Sequence, residues 1–296
     1  MKILLATDGS ENSKIATKFV GGLAQQNEID VTVLTVSYNP TQYSSQPWMP
    51  EWTAAEEERT RDLLDATRAQ LGDRCRSLNV VHKCGATVPC ILDQAAEIEA
   101  DLIVVGAKGH SAIHRVLLGS VSDSVATHAK CSVLVVRPGT DVEKDSKRIV
   151  VGFDQSAASR EAVAEFMDLK WDRASEVNVV SVVEQPAVFF GEGYSGPPII
   201  VEPQQIEALQ RNAERMASQI ASMLPKTNTL VPTSSHVGSA IANVAEETKA
   251  DLVLVGDTGH SLLGELLLGS TSKYLLRHAP CSVWISRHHF KADEAE

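Results

Sequence analysis

Three glycines followed by a serine recur at one spacing in two parts of the chain. Residues 106–120 and residues 256–270 both read Gly-x2-Gly-x9-Gly-Ser, 150 residues apart. Glycine lets a backbone approach a ligand closely, and the final Gly-Ser pair predicts a helix start, where N–H groups without intrahelical acceptors bind phosphate. The hydroxyl groups of Ser120 and Ser122 would add donors. The pattern indicates a phosphate site without a P-loop lysine; the alternative is that the glycines only mark strand ends and helix starts.

A histidine lies inside each glycine loop, His110 in the first and His260 in the second. Histidine is able to act as an acid or a base near neutral pH. No Ser–His–Asp order, paired carboxylates or metal-ligand pattern accompanies either histidine in the sequence. We therefore assign no catalytic residue. A histidine that hydrogen-bonds backbone or phosphate is the commoner case, and slow hydrolysis of a bound nucleotide is left open.

Four of the five cysteines are interpreted as structural residues: Cys131 and Cys281 open apolar runs as small core residues, and Cys84 and Cys90 are the other two. An odd number of cysteines in a chain of 296 residues fits a reducing cytoplasm better than a disulfide framework. Cys84 and Cys90, with His82, match no zinc spacing and have no evident fourth ligand, so we predict no metal site. Because free cysteine is so often simply buried, we expect these thiols to be buried too.

The glycine motifs belong to a repeat that covers nearly the whole chain. Residues 101–106 read DLIVVG and residues 251–256 read DLVLVG, while the opening LATDGS at 5–10 is matched by VGFDQS at 151–156. We predict two copies of one domain, residues 1–138 and 147–290, joined by a short polar linker.

Strand and helix patterns alternate within each copy. Strands are predicted at 3–7, 31–36, 78–84, 102–105 and 133–136, with a long helix over 53–77 and a helix capped by Ser10. The second copy has strand patterns near 148–153, 177–183, 229–236, 252–255 and 282–286. Apolar, β-branched strands that alternate with helices predict a Rossmann-like α/β fold with doubly wound parallel sheets. Ligands of such sheets bind beyond the carboxyl ends of the strands, where Asp8 and Asp154 fall.

The charge balance argues against two classes of partner. With 27 Lys and Arg against 38 Asp and Glu, the chain has a net charge of −11, so we expect it to bind neither nucleic acid nor an anionic membrane surface. No run of 18 apolar residues is present, and the first eight residues become polar too early for a secretory signal. The expected location is the cytoplasm.

Both glycine motifs, together with DGSENS at 8–13, resemble the universal stress protein family in its tandem form, over nearly the whole chain. The resemblance implies an ATP-binding, stress-response regulator or switch, whose nucleotide state modulates partner interactions. It also implies the strand order 3-2-1-4-5 in two five-stranded sheets, and fifth strands that pair to form an intramolecular pseudo-dimer. A protein partner of unknown identity and a homodimer are further expectations. The alternatives are a weak ATP hydrolase and a partner-binding scaffold with one or both sites degenerate.

The resemblance places Asp8 against the adenosine, the backbone near Val36 against adenine, and the glycines and serines around ribose and phosphates. The first site is expected to contain Asp8, Val36, Gly106, Gly109, His110, Arg115, Gly119, Ser120 and Ser122. The second is expected to contain Asp154, Val182, Gly256, Gly259, His260, Gly269, Ser270 and Ser272.

The two loops differ in charge. Lys108 and Arg115 give the first loop +2, whereas Asp257 and Glu265 give the second −2. Since a triphosphate is strongly anionic, we rank the first site above the second, although exposed side chains are screened and Mg²⁺ is able to offset an acidic loop.

The fifth strands predict that the two halves associate. Val133, Val135, Val283 and Ile285 are too apolar for bare edge strands, which would otherwise invite aggregation. When the halves are expressed separately and mixed, gel filtration should show a complex. Halves that stay monomeric and soluble, without pairing, would contradict this expectation.

Overall fold

The computed structural model describes residues 1–37, 50–109, 118–139, 142, 144–185, 189–190, 194–195, 202–259 and 268–287. The chain divides into two compact units, Met1–Pro138 and Gly139–Glu296. Among the described residues, no helix combines the length and the apolar character needed to cross a membrane.

The first unit is a five-stranded parallel sheet with helices between successive strands. Its strand order is β3-β2-β1-β4-β5, which confirms the predicted 3-2-1-4-5 order. The elements are β1 (Lys2–Ala6), α1 (Glu11–Gln26), β2 (Asp30–Ser37), α2 (Pro50–Leu71), β3 (Ser77–Cys84), α3 (Thr87–Glu97), β4 (Leu102–Gly106), α4 (Ser120–His128) and β5 (Ser132–Val136).

The second unit repeats this plan with three additional short strands before its long helix and one after its third main strand. Its main sheet has the order β11-β7-β6-β13-β14, which again confirms the prediction. The elements are β6 (Arg148–Gly152), α5 (Ala157–Met167), β7 (Glu176–Val180), β8 (Val183–Glu184), β9 (Phe189–Phe190), β10 (Tyr194–Ser195), α6 (Pro203–Ala221), β11 (Lys226–Leu230), β12 (Thr233–Ser234), α7 (Val237–Glu247), β13 (Leu252–Gly256), α8 (Ser270–His278) and β14 (Ser282–Ser286).

Repeated residues fix the ends of the central strands. The carboxylate of Asp101 accepts a hydrogen bond from the backbone N–H of Lys2 at 2.5 Å, and Asp251 accepts the equivalent bond from Arg148 at 2.8 Å. These bonds join the start of the first strand to the start of the fourth strand in each unit. The repeated aspartate, Asp101 and Asp251, therefore has a structural function.

The first helix of each unit begins at a serine cap. The Ser10 side chain accepts a hydrogen bond from the N–H of Ser13, which confirms the predicted cap. Ser156 accepts the same bond from Ser159 in the second unit. The caps place α1 and α5 directly after the ends of the central strands.

Several predicted element boundaries were wrong, and two of them have a clear local cause. The helix predicted to reach residue 77 ends at Leu71, because Gly72 has φ of 52°, a left-handed conformation that ends a helix. The strand predicted over 229–236 is divided into β11 and β12, because Pro232 has no N–H to continue the ladder. The carbonyl of Pro232 still accepts a bond from Val183, so the chain resumes pairing after the break.

Asp30 joins the starts of two strands through an ionic contact, and this contact predicts a pH dependence. The carboxylate of Asp30 accepts hydrogen bonds from the guanidinium of Arg76 and from the hydroxyl of Ser77, which lower the pKa of Asp30 from 3.8 to about 2. A pKa lower in the folded state means that this contribution is complete above pH 4 and is lost as the pH falls toward 2. Asp30→Asn should therefore lower the urea midpoint at pH 7, by an amount that shrinks at pH 3. A deficit that is equal at both pH values would contradict this assignment.

Candidate functional site

A cavity of about 260 Å³ opens at the carboxyl ends of β1 and β4 in the first unit. These neighbouring strands lie where the strand order reverses, which is the usual ligand position in this architecture. The cavity is lined by Ala6, Thr7, Asp8, Ser13, Leu34, Val36, Thr87, Ile91, Val105, Gly106, Lys108, Gly109, Gly119, Ser120, Val121 and Ser122. The structure thus brings together every residue predicted for the first site that lies within its described part.

The start of α4 forms the polar wall of this cavity. Gly119 is the N-cap and supplies no side-chain hydrogen bond, while its own N–H donates to the carbonyl of Ala107 at 2.7 Å. The first intrahelical bond runs from the N–H of Asp123 to the carbonyl of Gly119 at 2.9 Å. The N–H groups of residues 120–122 precede that bond, so they have no acceptor within the helix. They form a donor set of the kind that binds an anion.

The two serines of α4 differ in their roles. The Ser122 hydroxyl is buried and donates to the carbonyl of Gly106 at 2.6 Å, and Ser272 makes the matching bond to Gly256 at 2.7 Å. Because a hydroxyl has one hydrogen, and Ser122 uses it to join α4 to β4, this hydroxyl does not donate to a ligand in the cavity. Ser120 is exposed at the rim of the cavity.

The first glycine of each motif is required by packing. A Cβ on Gly106 would lie 2.8 Å from the backbone carbon of Asn12 and 2.9 Å from the backbone nitrogen of Ser13, in the first turn of α1. A Cβ on Gly256 would lie 2.8 Å from the backbone carbon of Ala158. We expected these glycines to allow a ligand to approach the backbone closely. The structure shows that they allow the first helix of each unit to approach instead.

The second glycine of each motif faces an aspartate. A Cβ on Gly109 would collide with Oδ2 of Asp8, and a Cβ on Gly259 would lie 3.2 Å from Oδ2 of Asp154. The other carboxylate oxygen of Asp8 accepts a hydrogen bond from the N–H of Ser10 at 3.0 Å. Each aspartate is thereby held at the end of its central strand, beside the cavity.

A second space adjoins the first cavity on the far side of Asp8 and Val36. It has a volume of about 280 Å³ and is also lined by Glu56, Arg59 and Leu63 of α2. The carboxylate of Glu56 lies 2.7 Å from the guanidinium of Arg59 and raises the pKa of Arg59. The charge of Asp8 raises the same pKa by a smaller amount. Sequence analysis missed this contribution of α2, since no motif there repeats in the second copy.

The second unit contains a corresponding cavity of about 350 Å³. It is lined by Gly152, Phe153, Asp154, Ser159, Val180, Val182, Glu184, Leu209, Val237, Ile241, Val255, Gly256, Thr258, Gly259, Gly269, Ser270, Thr271 and Ser272. Again all described residues predicted for the site line one space. Ile91 and Ile241, which were missed, also lie 150 residues apart, so the repeat offset was a usable signal.

The charges around the two cavities differ, but less than the loop count predicts. Asp257 is buried and its carboxylate lies 3.4 Å from Nε of Arg287, so much of its charge is compensated within the protein. Lys108 lines the first cavity, and Thr258 takes its place in the second. Glu184 adds a carboxylate to the second lining.

The loop histidines and two of the loop charges lie outside the described residues: His110, Arg115, His260 and Glu265. Within the described ranges, no group of three or more His, Cys, Asp or Glu side chains could hold a metal ion.

Comparison with known proteins identifies the family of both halves. The model of the universal stress protein family matches residues 1–137 and 146–287. The chain belongs to the universal stress protein family. Universal stress proteins of Mycobacterium bovis and Mycobacterium tuberculosis are each 28% identical over 302 residues, covering 96% of this chain and 96% of theirs.

A solved structure shows that the fold extends over both units. A universal stress protein from Archaeoglobus fulgidus aligns with a TM-score of 0.68 at 20% identity, covering 97% of this chain and 96% of that chain. The fold is therefore shared over both units.

Proposed function

We propose that this universal stress protein binds ATP in the first cavity, and that the bound nucleotide regulates its interaction with a protein partner or a second copy. The observation that carries the proposal is the start of α4, where three N–H groups without intrahelical acceptors face a cavity at the reversal of strand order. The same arrangement recurs in the second unit, with Gly269 as the N-cap of α8.

The lining of the first cavity supports specific positions for the parts of the nucleotide. Leu34, Val36 and Ile91 provide an apolar wall suited to a purine, with the backbone near Val36 beside its edge. The carboxylate of Asp8, which lines the same cavity, would accept hydrogen bonds from the adenosine moiety of the nucleotide. The phosphates would bind the N–H groups of residues 120–122, with Lys108 supplying a cation. Any Mg²⁺ would arrive on the phosphates of the nucleotide.

Nucleotide content of the purified chain tests the proposal directly. After gentle purification, the protein should release adenine nucleotide on denaturation, and the emptied protein should bind ATP in calorimetric titration. Sedimentation velocity with and without ATP then tests the regulatory part through a change in self-association. A chain that carries no nucleotide and gives no binding signal at millimolar ATP would show that the glycine loops are relics.

The two units should differ in their affinity for ATP. The charged residues of the first lining are Asp8 and Lys108, whereas those of the second are Asp154 and Glu184, so the second cavity repels phosphate more strongly. We expect ATP to bind more tightly to the first unit, and the difference to shrink at high salt. Lys108→Thr should weaken the first site by about 1 kcal/mol or less, because the lysine is partly exposed.

The reciprocal variant and an uncharged ligand serve as controls for this ranking. Thr258→Lys should strengthen ATP binding to the second unit by a similar amount, while adenosine, which has no phosphate, should respond little to either change. If the second unit is the tighter site at both low and high salt, charge does not rank the two cavities.

A further inference from the structure

Three polar side chains meet on β2 and β3, outside the nucleotide cavity. The Ser37 hydroxyl lies 2.7 Å from Nε2 of His82 and 3.3 Å from Sγ of Cys84. The same Nε2 lies 3.8 Å from Sγ of Cys84. None of these three residues lines either nucleotide cavity. We call them the Ser37–His82–Cys84 cluster.

The register of the parallel strands produces this cluster. Ser37 pairs with Cys84, and Thr35 pairs with His82, so the histidine and the cysteine project from one face of β3 beside the serine of β2. β3 is the edge strand of the first unit's main sheet, and both His82 and Cys84 are exposed. The prediction that Cys84 is a buried structural thiol is therefore wrong.

The other four cysteines are less exposed than Cys84. Cys281 is buried and Cys75 is half-buried, and burial raises the pKa of the Cys75 thiol. Cys90 and Cys131 are half-buried, and no disulfide joins any two of the five cysteines. Cys84 alone combines exposure with an imidazole nitrogen at hydrogen-bond range among the described contacts. A thiolate is the reactive form of cysteine, and a neighbouring base promotes it.

We propose that Cys84 is a site of reversible S-thiolation by low-molecular-weight disulfides. The thiol donates its proton to the Ser37 hydroxyl as that hydroxyl donates its own proton to Nε2 of His82, and the Cys84 sulfur attacks one sulfur of the disulfide. A new sulfur–sulfur bond forms while the disulfide bond of the reagent breaks, and the leaving thiolate takes the proton from His82. Cys84 is oxidised and half of the reagent is reduced to a thiol, so the exchange balances without another oxidant.

The composition of the cluster favours this chemistry over metal binding. His82 and Cys84 supply only two side chains of the kinds that bind zinc well, and no described cluster provides a third and fourth ligand. Cys84 is exposed on the edge strand β3, so a disulfide made of two tripeptides is able to approach the sulfur. The exposed thiol therefore fits a diffusible disulfide as its co-reactant.

Exposure of the full chain to oxidised glutathione tests the proposal. Peptide mapping by mass spectrometry should locate the adduct on Cys84, formed at least about tenfold faster than on Cys75, Cys90 or Cys131, and removed by dithiothreitol. Cys84→Ser should remove the rapid adduct. His82→Gln, which keeps a polar side chain of similar size, should slow adduct formation about tenfold while the thermal unfolding midpoint stays unchanged.

Three results would overturn the proposal. One is an adduct that forms equally fast on the other cysteines. Another is a His82→Gln rate equal to that of the unchanged chain. The third is a Cys84–Cys90 disulfide as the stable product in place of the glutathione adduct.

Discussion

Replacing Gly119 by valine should abolish ATP binding in the first unit while that unit stays folded. Gly119 has φ of −75° and ψ of 151°, which any residue adopts, so valine causes no backbone strain there. Its Cβ would lie 3.2 Å from the carbonyl oxygen of Ala107 and 3.5 Å from Cα of Lys108, contacts that a small shift relieves. The two methyl groups would stand beside the N–H groups that open α4. We expect affinity to fall by about 100-fold or more, which is about 2.7 kcal/mol.

Gly269→Val is the matched variant in the second unit. Its Cβ would lie 3.1 Å from the carbonyl oxygen of Asp257, so the two substitutions are sterically alike. If both units bind ATP, calorimetric titration should show that Gly119→Val loses the site of the first unit and that Gly269→Val loses the site of the second. Circular dichroism should show unchanged helix content. If Gly119→Val leaves both affinity and stoichiometry unaltered, the N-terminus of α4 does not bind the phosphates.

Local patterns were sufficient to predict the order of the main strands in both units, but not the two-residue strands β8, β9, β10 and β12. Most of the main strands are apolar runs of five to eight residues, although β11 is polar, and the caps at Ser10 and Ser156 depend only on residues within one turn. The repeat then confirmed each element twice. Sequence patterns also predicted that the candidate site lies at the carboxyl ends of the strands, because ligands of parallel sheets joined by helices bind at that edge.

Contacts between distant residues were not predictable from spacing. Asp257 reads as a loop charge, but it is buried beside Arg287, thirty positions further along the chain. Cys84 reads as a buried thiol, but the register with Ser37 places it at an exposed edge. Both errors arise because charge counts and residue types carry no information about which distant residues lie next to a given side chain.

The first glycine of the motif illustrates the same limit, since its position was informative while its role was misread. Spacing identified Gly106 together with Gly119, and both line one cavity. Only the structure shows that Gly106 adjoins the backbone of α1 at Asn12, far away in sequence. Both glycines border the candidate site, but only Gly106 is also required by the packing of α1 against the end of β4.

This packing predicts that Gly106→Ala lowers the stability of the first unit. The new Cβ would lie within 2.9 Å of two backbone atoms of α1, at Asn12 and Ser13, and backbone cannot move aside as a flexible side chain does. Overpacking of this kind costs ~1–3 kcal/mol in unfolding free energy. The Ser122 hydroxyl bonds the carbonyl of Gly106, so the start of α4 should be displaced as well.

Gly22→Ala, on the same helix as the colliding residues, provides the control for Gly106→Ala. A Cβ on Gly22 would meet no atom within 4 Å, and alanine within a helix is more favourable than glycine by roughly 0.5–1 kcal/mol. The two alanine variants should thus change stability in opposite directions. Hydrogen exchange of peptides from β1, α1 and β4 measures the first unit separately, and Gly106→Ala should accelerate exchange there but not in β6, α5 or β13. If Gly106→Ala leaves exchange in the first unit unaltered and weakens only ATP binding, Gly106 acts on the ligand, as its motif suggests, and not on the packing of α1.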